Sequence, residues 1–297
     1  MRKVATIGTF DGVHRGHRFL LDQVIRLART GGGRSVVVTF SNSPRCVIDP
    51  SFTPSYLTTN EEKRRLLFEL GIDDVVVREF TDAMMHLSAR QFMQQVLAGE
   101  LGIDTLLIGY DHRFGHNRAE GFDDYVRYGR ELGIEVIRAD VYRHEGAAVS
   151  SSAIRQAVTE GNVRRAGELL GYDYSIEGQV VDGFHVGRTL GYPTANIQMP
   201  DGKLIPADGV YAVSVMLDGQ EYTGMLNIGC RPTFNGKGRS IEVHLLDFRD
   251  DIYSHHIHLR FIDRIRDERR FATTRELVEQ IRRDENRVRL MTTIEHP

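Results

Sequence analysis

The sequence predicts two architectures in one chain: an α/β domain on a mostly parallel sheet, followed by a small antiparallel β-barrel with a C-terminal helix. Three observations predict it. Apolar, strand-like runs alternate with amphipathic segments up to about residue 170; the pattern changes to period two from Ser175 onward; and one strong helical pattern returns at the end. At 297 residues the chain is long enough for two domains, here placed at 1–172 and 176–297.

Val4–Gly8 predicts a buried strand, and His17–Arg29 a helix with Leu20, Leu21, Val24, Ile25 and Ala28 at helical spacing, ended by Gly31-Gly32-Gly33. Ser35–Phe40 is a second buried strand. Glu61–Leu70 is amphipathic, and Val75–Val77 is a short strand. Ser88 with Gln91 forms a capping box that opens another helix. Thr105–Gly109 and Ile134–Ala139 are strands with a helix between them, and Ser152–Thr159 and Val163–Leu170 read as closing helices. Strands this apolar imply a sheet covered on both faces. In the second half, Val210–Leu217 alternates, Asp218-Gly219 predicts a hairpin turn into Glu221–Ile228, and Ser240–Phe248 and His255–Ile262 are further strands. No helix is expected there before Thr273, whose partner Glu276 predicts a capping box for Thr274–Leu290. Five or six short strands and one helix suit a barrel.

Hydrophobic residues make up 41% and charged residues 27%, with net charge −3. That is a globular composition with no general attraction for nucleic acid or an anionic membrane. No window reaches the roughly 18 apolar residues of a membrane span. The apolar run after Lys3 is broken by Gly8 and Asp11, too early for a signal peptide. Two distant cysteines, Cys46 and Cys230, fit a reducing cytosol. A cytoplasmic monomer or weak homo-oligomer acting on small molecules is expected.

The first chemistry lies at Gly8-Thr9-Phe10-Asp11-Gly12-Val13-His14-Arg15-Gly16-His17. A strand, a glycine-bearing turn and a helix start form an anion site, because the helix N-terminus presents unpaired N–H groups. Gly12 and Gly16 remove side chains where a phosphate would approach, and His14 and His17 add donors. The bland alternatives are zinc, for which further ligands at suitable spacing are missing, and a purely structural histidine pair.

This pattern resembles the nucleotide-binding signature of the adenylyltransferase half of bacterial FAD synthetases. Gly109-Tyr110-Asp111-His112-Arg113-Phe114-Gly115 and Val149-Ser150-Ser151-Ser152-Ala153-Ile154-Arg155 are similar to two further motifs of that half. The resemblance implies a nucleotidyltransferase-type, Rossmann-like fold. It implies ATP contacts at Gly8, Phe10, Asp11, Gly12, Gly16, Ser151 and Ser152, with His14, His17 and Arg155 stabilising charge. It implies flavin contacts at Asn42, Asp111, Arg113 and Phe114. Two positions depart from the pattern. Phe40-Ser41-Asn42-Ser43-Pro44 lacks the histidine of Phe-x-Pro-His-Pro, and His112 stands where phenylalanine is usual.

Gly187-Arg188-Thr189-Leu190-Gly191-Tyr192-Pro193-Thr194-Ala195-Asn196 is similar to the riboflavin kinase motif, and Asn227–Phe234, Ile241–His244 and Ile265–Phe271 follow in family order. In Ile241-Glu242-Val243-His244-Leu245, period-two alternation places Glu242 with His244 opposite the apolar residues, where a carboxylate on a rigid strand suits a general base. The resemblance implies ATP binding at Gly187, Arg188, Thr194 and Asn196. It implies Mg²⁺ at Thr194 and Asn196, and flavin contacts at Asn227, Arg231, Arg266 and Glu268. Ser254 replaces the usual glycine, at a cost of order 1 kcal/mol if its φ is positive. His255, His256 and His258 are read as a solvated edge rather than a metal site.

The function implied is bifunctional: riboflavin is phosphorylated to FMN, and FMN is adenylylated to FAD, with ATP as co-substrate in both steps. Two other classes stay open at this point. One is a nucleotidyltransferase with another acceptor and a regulatory barrel; the other is a non-catalytic flavin carrier.

Overall fold

The computed structural model describes residues 1–49, 51–110, 112–143, 149–183, 186–233 and 236–295. The chain divides into two compact units, Met1–Ser151 and Ser152–Pro297. This division falls before the expected 172–176, at the start of the helix that opens the motif at 149–155.

In the first unit the elements run β1 (Lys3–Ile7), α1 (Arg15–Thr30), β2 (Arg34–Phe40), α2 (Pro44–Ile48), α3 (Asn60–Glu69), β3 (Asp74–Arg78), α4 (Asp82–Met85) and α5 (Ala89–Phe92). A π-helical stretch, Met93–Glu100, continues α5, followed by β4 (Thr105–Ile108), α6 (Phe122–Leu132) and β5 (Glu135–Arg138). The sheet has the order β3-β2-β1-β4-β5, with every pairing parallel. Its strands are continuous apolar runs because both faces are covered. Ala5, Ile7, Val36, Val38, Leu106 and Ile108 pack on one side with Met93, Leu97 and Tyr125. The alternate residues pack on the other side, Val37 with Leu21, Ile25 and Leu67, and Val4 and Leu107 with Val24 and Ala28. The capping box of Ser88 and Gln91 is formed.

Two helices open the second unit. They are α7 (Ser151–Thr159), whose first residue belongs to the first unit, and α8 (Val163–Leu170), which packs on the barrel strand β11 defined below. The remaining elements are β6 (Ser175–Val181), α9 (Val186–Thr189), β7 (Ala195–Gln198), β8 (Gly209–Leu217), β9 (Gln220–Thr233), β10 (Gly236–Leu245), β11 (His256–Arg266) and α10 (Thr274–Glu295). The strands close into an antiparallel barrel of order β10-β7-β6-β11-β8-β9. Asp218 (φ 49°) and Gly219 (φ 81°) make the β8–β9 hairpin with both central residues left-handed, the backbone that matches strand twist. The buried Val288 of α10 packs against Val210, Ala212, Met225, Leu246 and Ile265. The one-turn α9 was not expected, since four residues carry no helical period. Thr273 caps the nitrogen of Glu276, but the Glu276 carboxylate takes the N–H of Ala272, one residue earlier than a reciprocal box requires.

Candidate active sites

In the first unit, β1 and β4 are the neighbours at which strand order reverses. Such a reversal opens a crevice at the strands' carboxyl ends, where α/β sheets bind ligands. The turn at 8–14 follows β1 and the segment at 109–115 follows β4, so both motifs meet this crevice. Gly109 lies beside both Leu20 of α1 and His112.

The turn itself is strained. Phe10 (φ 48°), Gly12 (φ 81°) and Val13 (φ 35°) are all left-handed, which is unusual for an aromatic and a β-branched residue. His14 caps α1, its Nδ1 accepting the N–H of His17 at 3.3 Å. In neutral His14 that leaves the proton on Nε2 as a donor. The two imidazoles stack with centroids 3.6 Å apart, and Phe10 meets His17 edge-on at 5.1 Å. Burial above all, then the neighbouring His14 and His112, hold the His17 pKa well below the ordinary imidazole value. His17 is therefore neutral, and its covered Nδ1 has no hydrogen-bond partner among the described residues. Gly16 makes room for the His14 ring, since a β-carbon there would lie 3.2 Å from Cε1. Gly8 likewise leaves room for the Phe10 ring.

Asp11 and Asn42 each have partners within the protein. The Asp11 carboxylate is buried and accepts the N–H groups of Leu57 (2.9 Å) and Thr58 (3.1 Å), and the Thr58 hydroxyl oxygen accepts the Gly12 N–H of the same turn at 3.1 Å. A carboxylate so engaged ties the chain at 57–58 to the turn. The Asn42 amide accepts from Phe80 N (2.7 Å) and donates to Phe80 O (2.9 Å), a backbone clasp. Phe114 stacks on Tyr125 at 4.3 Å, and Arg113 is exposed. Ser151 donates to the carbonyl of Asp11 at 3.0 Å. Ser152 and Arg155 lie on α7 in the second unit, exposed and half-buried respectively. Asp111 lies outside the described residues, and so does the side chain of Arg231. Sequence reasoning missed Thr58 and the buried Lys63; the signal available was the capping box of Thr59 and Glu62, which places the start of α3.

The second unit assembles its site across strands. Glu242 of β10 stands opposite Asn196 of β7 on one side and Asn227 of β9 on the other. Directly opposed residues share a face, so the expected base, one expected metal ligand and one expected flavin contact form a row. Ile241, Val243 and Leu245 are buried on the other face. The Thr194 hydroxyl donates to Glu242 Oε2 at 3.3 Å. His244 Nδ1 bonds the carbonyl of Pro193 at 2.7 Å. A β-carbon at Gly187 would lie 2.2 Å from the Tyr192 carbonyl, and one at Gly183 would lie 1.9 Å from the Asn196 amide. The glycines thus let this loop fold onto the strand.

Arg188 borders a groove of about 650 Å³ with Gln179, Asp182, Asp251, Tyr253 and Ser254. Ser254 is left-handed, φ 67°. A β-carbon at Gly229 would lie 2.2 Å from Glu268 Oε1, so the glycine leaves room for that carboxylate. Arg266, an expected flavin contact, follows register shifts in β11, and its Nε pairs with the buried Asp284 of α10 at 2.8 Å, which Gln280 also holds. His255 pairs with Asp218 at 2.9 Å, and among the described residues no group of three His, Cys, Asp or Glu could hold a metal.

Comparison with known proteins covers both halves. The FAD synthetase family matches residues 1–153, and the riboflavin kinase family matches residues 170–292. Bifunctional riboflavin kinase/FMN adenylyltransferases from Escherichia coli (strain K12), Pseudomonas fluorescens and Bacillus subtilis (strain 168) are 39%, 38% and 34% identical, each over 95% of this chain and 90% of their own. A crystal structure described as a macrolide-efflux protein from Streptococcus pneumoniae superposes with a TM-score of 0.90 at 34% identity, covering 97% of this chain and 94% of that one. No helix among the described residues is long and apolar enough to cross a membrane. These matches favour the bifunctional reading over a single nucleotidyltransferase or a carrier. With a turn of stacked imidazoles at the sheet's switch point and a carboxylate row on a closed barrel, the chain belongs to the bifunctional riboflavin kinase/FMN adenylyltransferase family.

Proposed function

We propose that each unit houses one of the two flavin reactions and that the residues just described carry them. The chain phosphorylates riboflavin with ATP and adenylylates FMN with ATP to give FAD and pyrophosphate. In the barrel, the Glu242 carboxylate takes the proton of the riboflavin 5′-hydroxyl as its oxygen bonds to the γ-phosphorus, and ADP leaves. Thr194 and Asn196 offer hard oxygen donors beside that carboxylate, which fits Mg²⁺. When bound there, the ion would offset phosphate charge. Because the Thr194 hydroxyl donates to Glu242, its lone pairs remain for a cation, and Gly183 and Gly187 keep the loop close.

In the first unit, an FMN phosphate oxygen bonds to the α-phosphorus of ATP while the bond to pyrophosphate breaks, with no covalent enzyme intermediate. His14 Nε2–H and the neutral His17 imidazole donate to the phosphate oxygens, supported by the N-terminus of α1. Asp11 holds the turn. Ser151 serves the same nucleotide, and Ser152 and Arg155 remain proposed phosphate contacts. The flavin contacts are Asn42, Asp111, Arg113 and Phe114 here, with Asn227, Arg231, Arg266 and Glu268 in the barrel. The protein works in the cytoplasm as a monomer or weak homo-oligomer.

The observation that carries this reading is the stacked, capped His14–His17 pair at the strand-order reversal. Incubation with riboflavin, ATP and Mg²⁺ and chromatographic separation should yield FMN and then FAD. Neither product, or consumption of ATP with a non-flavin acceptor only, would overturn it.

A further inference from the structure

Lys63 is a buried lysine on the first turn of α3 that neither nucleotide motif includes. Its Nζ donates to the carbonyls of Phe40 at 2.7 Å and Thr9 at 3.3 Å. Phe40 ends β2, and Thr9 lies just beyond β1, so the ammonium bridges the exits of two adjacent parallel strands. The segment leading into α3 makes further ties nearby: Leu57 and Thr58 hold Asp11, Thr58 holds Gly12, and the Asn60 amide donates to Ser41 O at 2.9 Å. What this segment clasps is the turn with left-handed Phe10 and Val13. Such backbone persists only where its surroundings over-determine it.

Burying a charged amine is unfavourable, and two carbonyls do not neutralise it. Burial lowers the Lys63 pKa to about 8, against the opposing pull of Asp11. Asp11 reaches it from the turn. Glu62, beside it on α3, uses its Oε2 on the N–H of Thr59, while Thr9 and Phe40 present only carbonyls. A neutral side chain would fill the space without that penalty, so the charge calls for a role.

We propose that Lys63 is a positioning residue for adenylyl transfer: it locks the strained turn bearing His14 and His17 to the end of β2, and it sets a positive charge at the strand ends where the nucleotide binds. This rests on the reading that ATP occupies the first unit's crevice, and His17→Ala tests that reading separately. The experiment measures kcat/KM for ATP in FMN adenylylation by the full chain, with riboflavin phosphorylation by the same samples as the control. Lys63→Met should lower adenylylation at least about tenfold and leave phosphorylation within about twofold. Wild-type adenylylation should fall as pH rises through about 8, a fall that Lys63→Arg shifts upward because guanidinium stays charged. If Lys63→Met proves unfolded by circular dichroism, the difference between the wild-type and Lys63→Arg profiles decides. Near-wild-type adenylylation in folded Lys63→Met, or a wild-type profile flat to about pH 9.5, would overturn the proposal. Should His17→Ala also leave FAD formation intact, the crevice reading falls instead.

Discussion

The two units solve the same problem, holding ATP for transfer to a flavin, with opposite backbone strategies. The first concentrates its chemistry in one short turn and a helix end. Its donors come from neighbours in sequence, and its backbone departs from the favoured regions at Phe10 and Val13. The barrel spreads its chemistry over regular strands: Asn196, Glu242 and Asn227 come from three different strands and meet by register alone. A turn can be strained into shape if neighbouring segments clasp it, and Asp11 and Lys63 are anchored for that purpose. A strand row needs no strain, but it depends on every residue of the ladder staying in phase, since a slip of one turns each side chain to the other face.

The sharpest test separates the units by their chemistry. Glu242→Gln keeps the shape of the row and removes the proton acceptor. Riboflavin phosphorylation should fall by roughly 10²–10⁴-fold while added FMN still becomes FAD, both read by product chromatography. Full kinase activity would remove Glu242 from the base role. The converse is His17→Ala, which should slow FAD formation by roughly 10²–10³-fold and spare FMN formation. Equal loss of both activities would show that the units do not act separately.

The next effect is one of stability and belongs to the turn alone. The fold keeps His17 neutral, whereas the unfolded chain takes up its proton near the ordinary value of 6.5. The unfolded state therefore binds more protons at mildly acid pH. The stabilisation is complete above 6.5 and is lost as pH falls from there toward the depressed folded value, by at most about 1.4 kcal/mol per pH unit. Denaturant titrations across that window should show a shallower slope in His17→Asn; an unchanged slope would mean that His17 is not held neutral. The smallest effect concerns the groove of the barrel. Ser254→Gly relieves a left-handed serine and should stabilise the protein by about 1 kcal/mol, read as a shift in denaturation midpoint. Destabilisation would show that the serine side chain offsets its backbone strain.

Much of this was legible in the sequence because it is local. Helical spacing located α1 through Leu21, Val24, Ile25 and Ala28, all buried. Continuous apolar strands announced a covered sheet, and Asp218-Gly219 announced its hairpin. Glu242 could be assigned to the face away from the core from alternation alone, since strand side chains alternate whatever they pair with. The density of glycine and histidine after β1 marked this turn as the candidate site, although Gly8 and Gly16 turned out to make room for the Phe10 and His14 rings.

Tertiary structure decided which polar side chains are already spoken for. Asp11, Asn42 and Arg266 all belong to ligand-like motifs, yet each is engaged by a partner far along the chain: Leu57 and Thr58, Phe80, and Asp284. Burial of Lys63 against two strand exits is equally invisible in sequence, where a lysine on a helix reads as solvated. The reason is physical. Secondary structure and facing follow from backbone periodicity, which a sequence carries in itself. Hydrogen-bond satisfaction of a buried polar group depends on which distant segment the fold brings within 3 Å, and only the packed chain settles that.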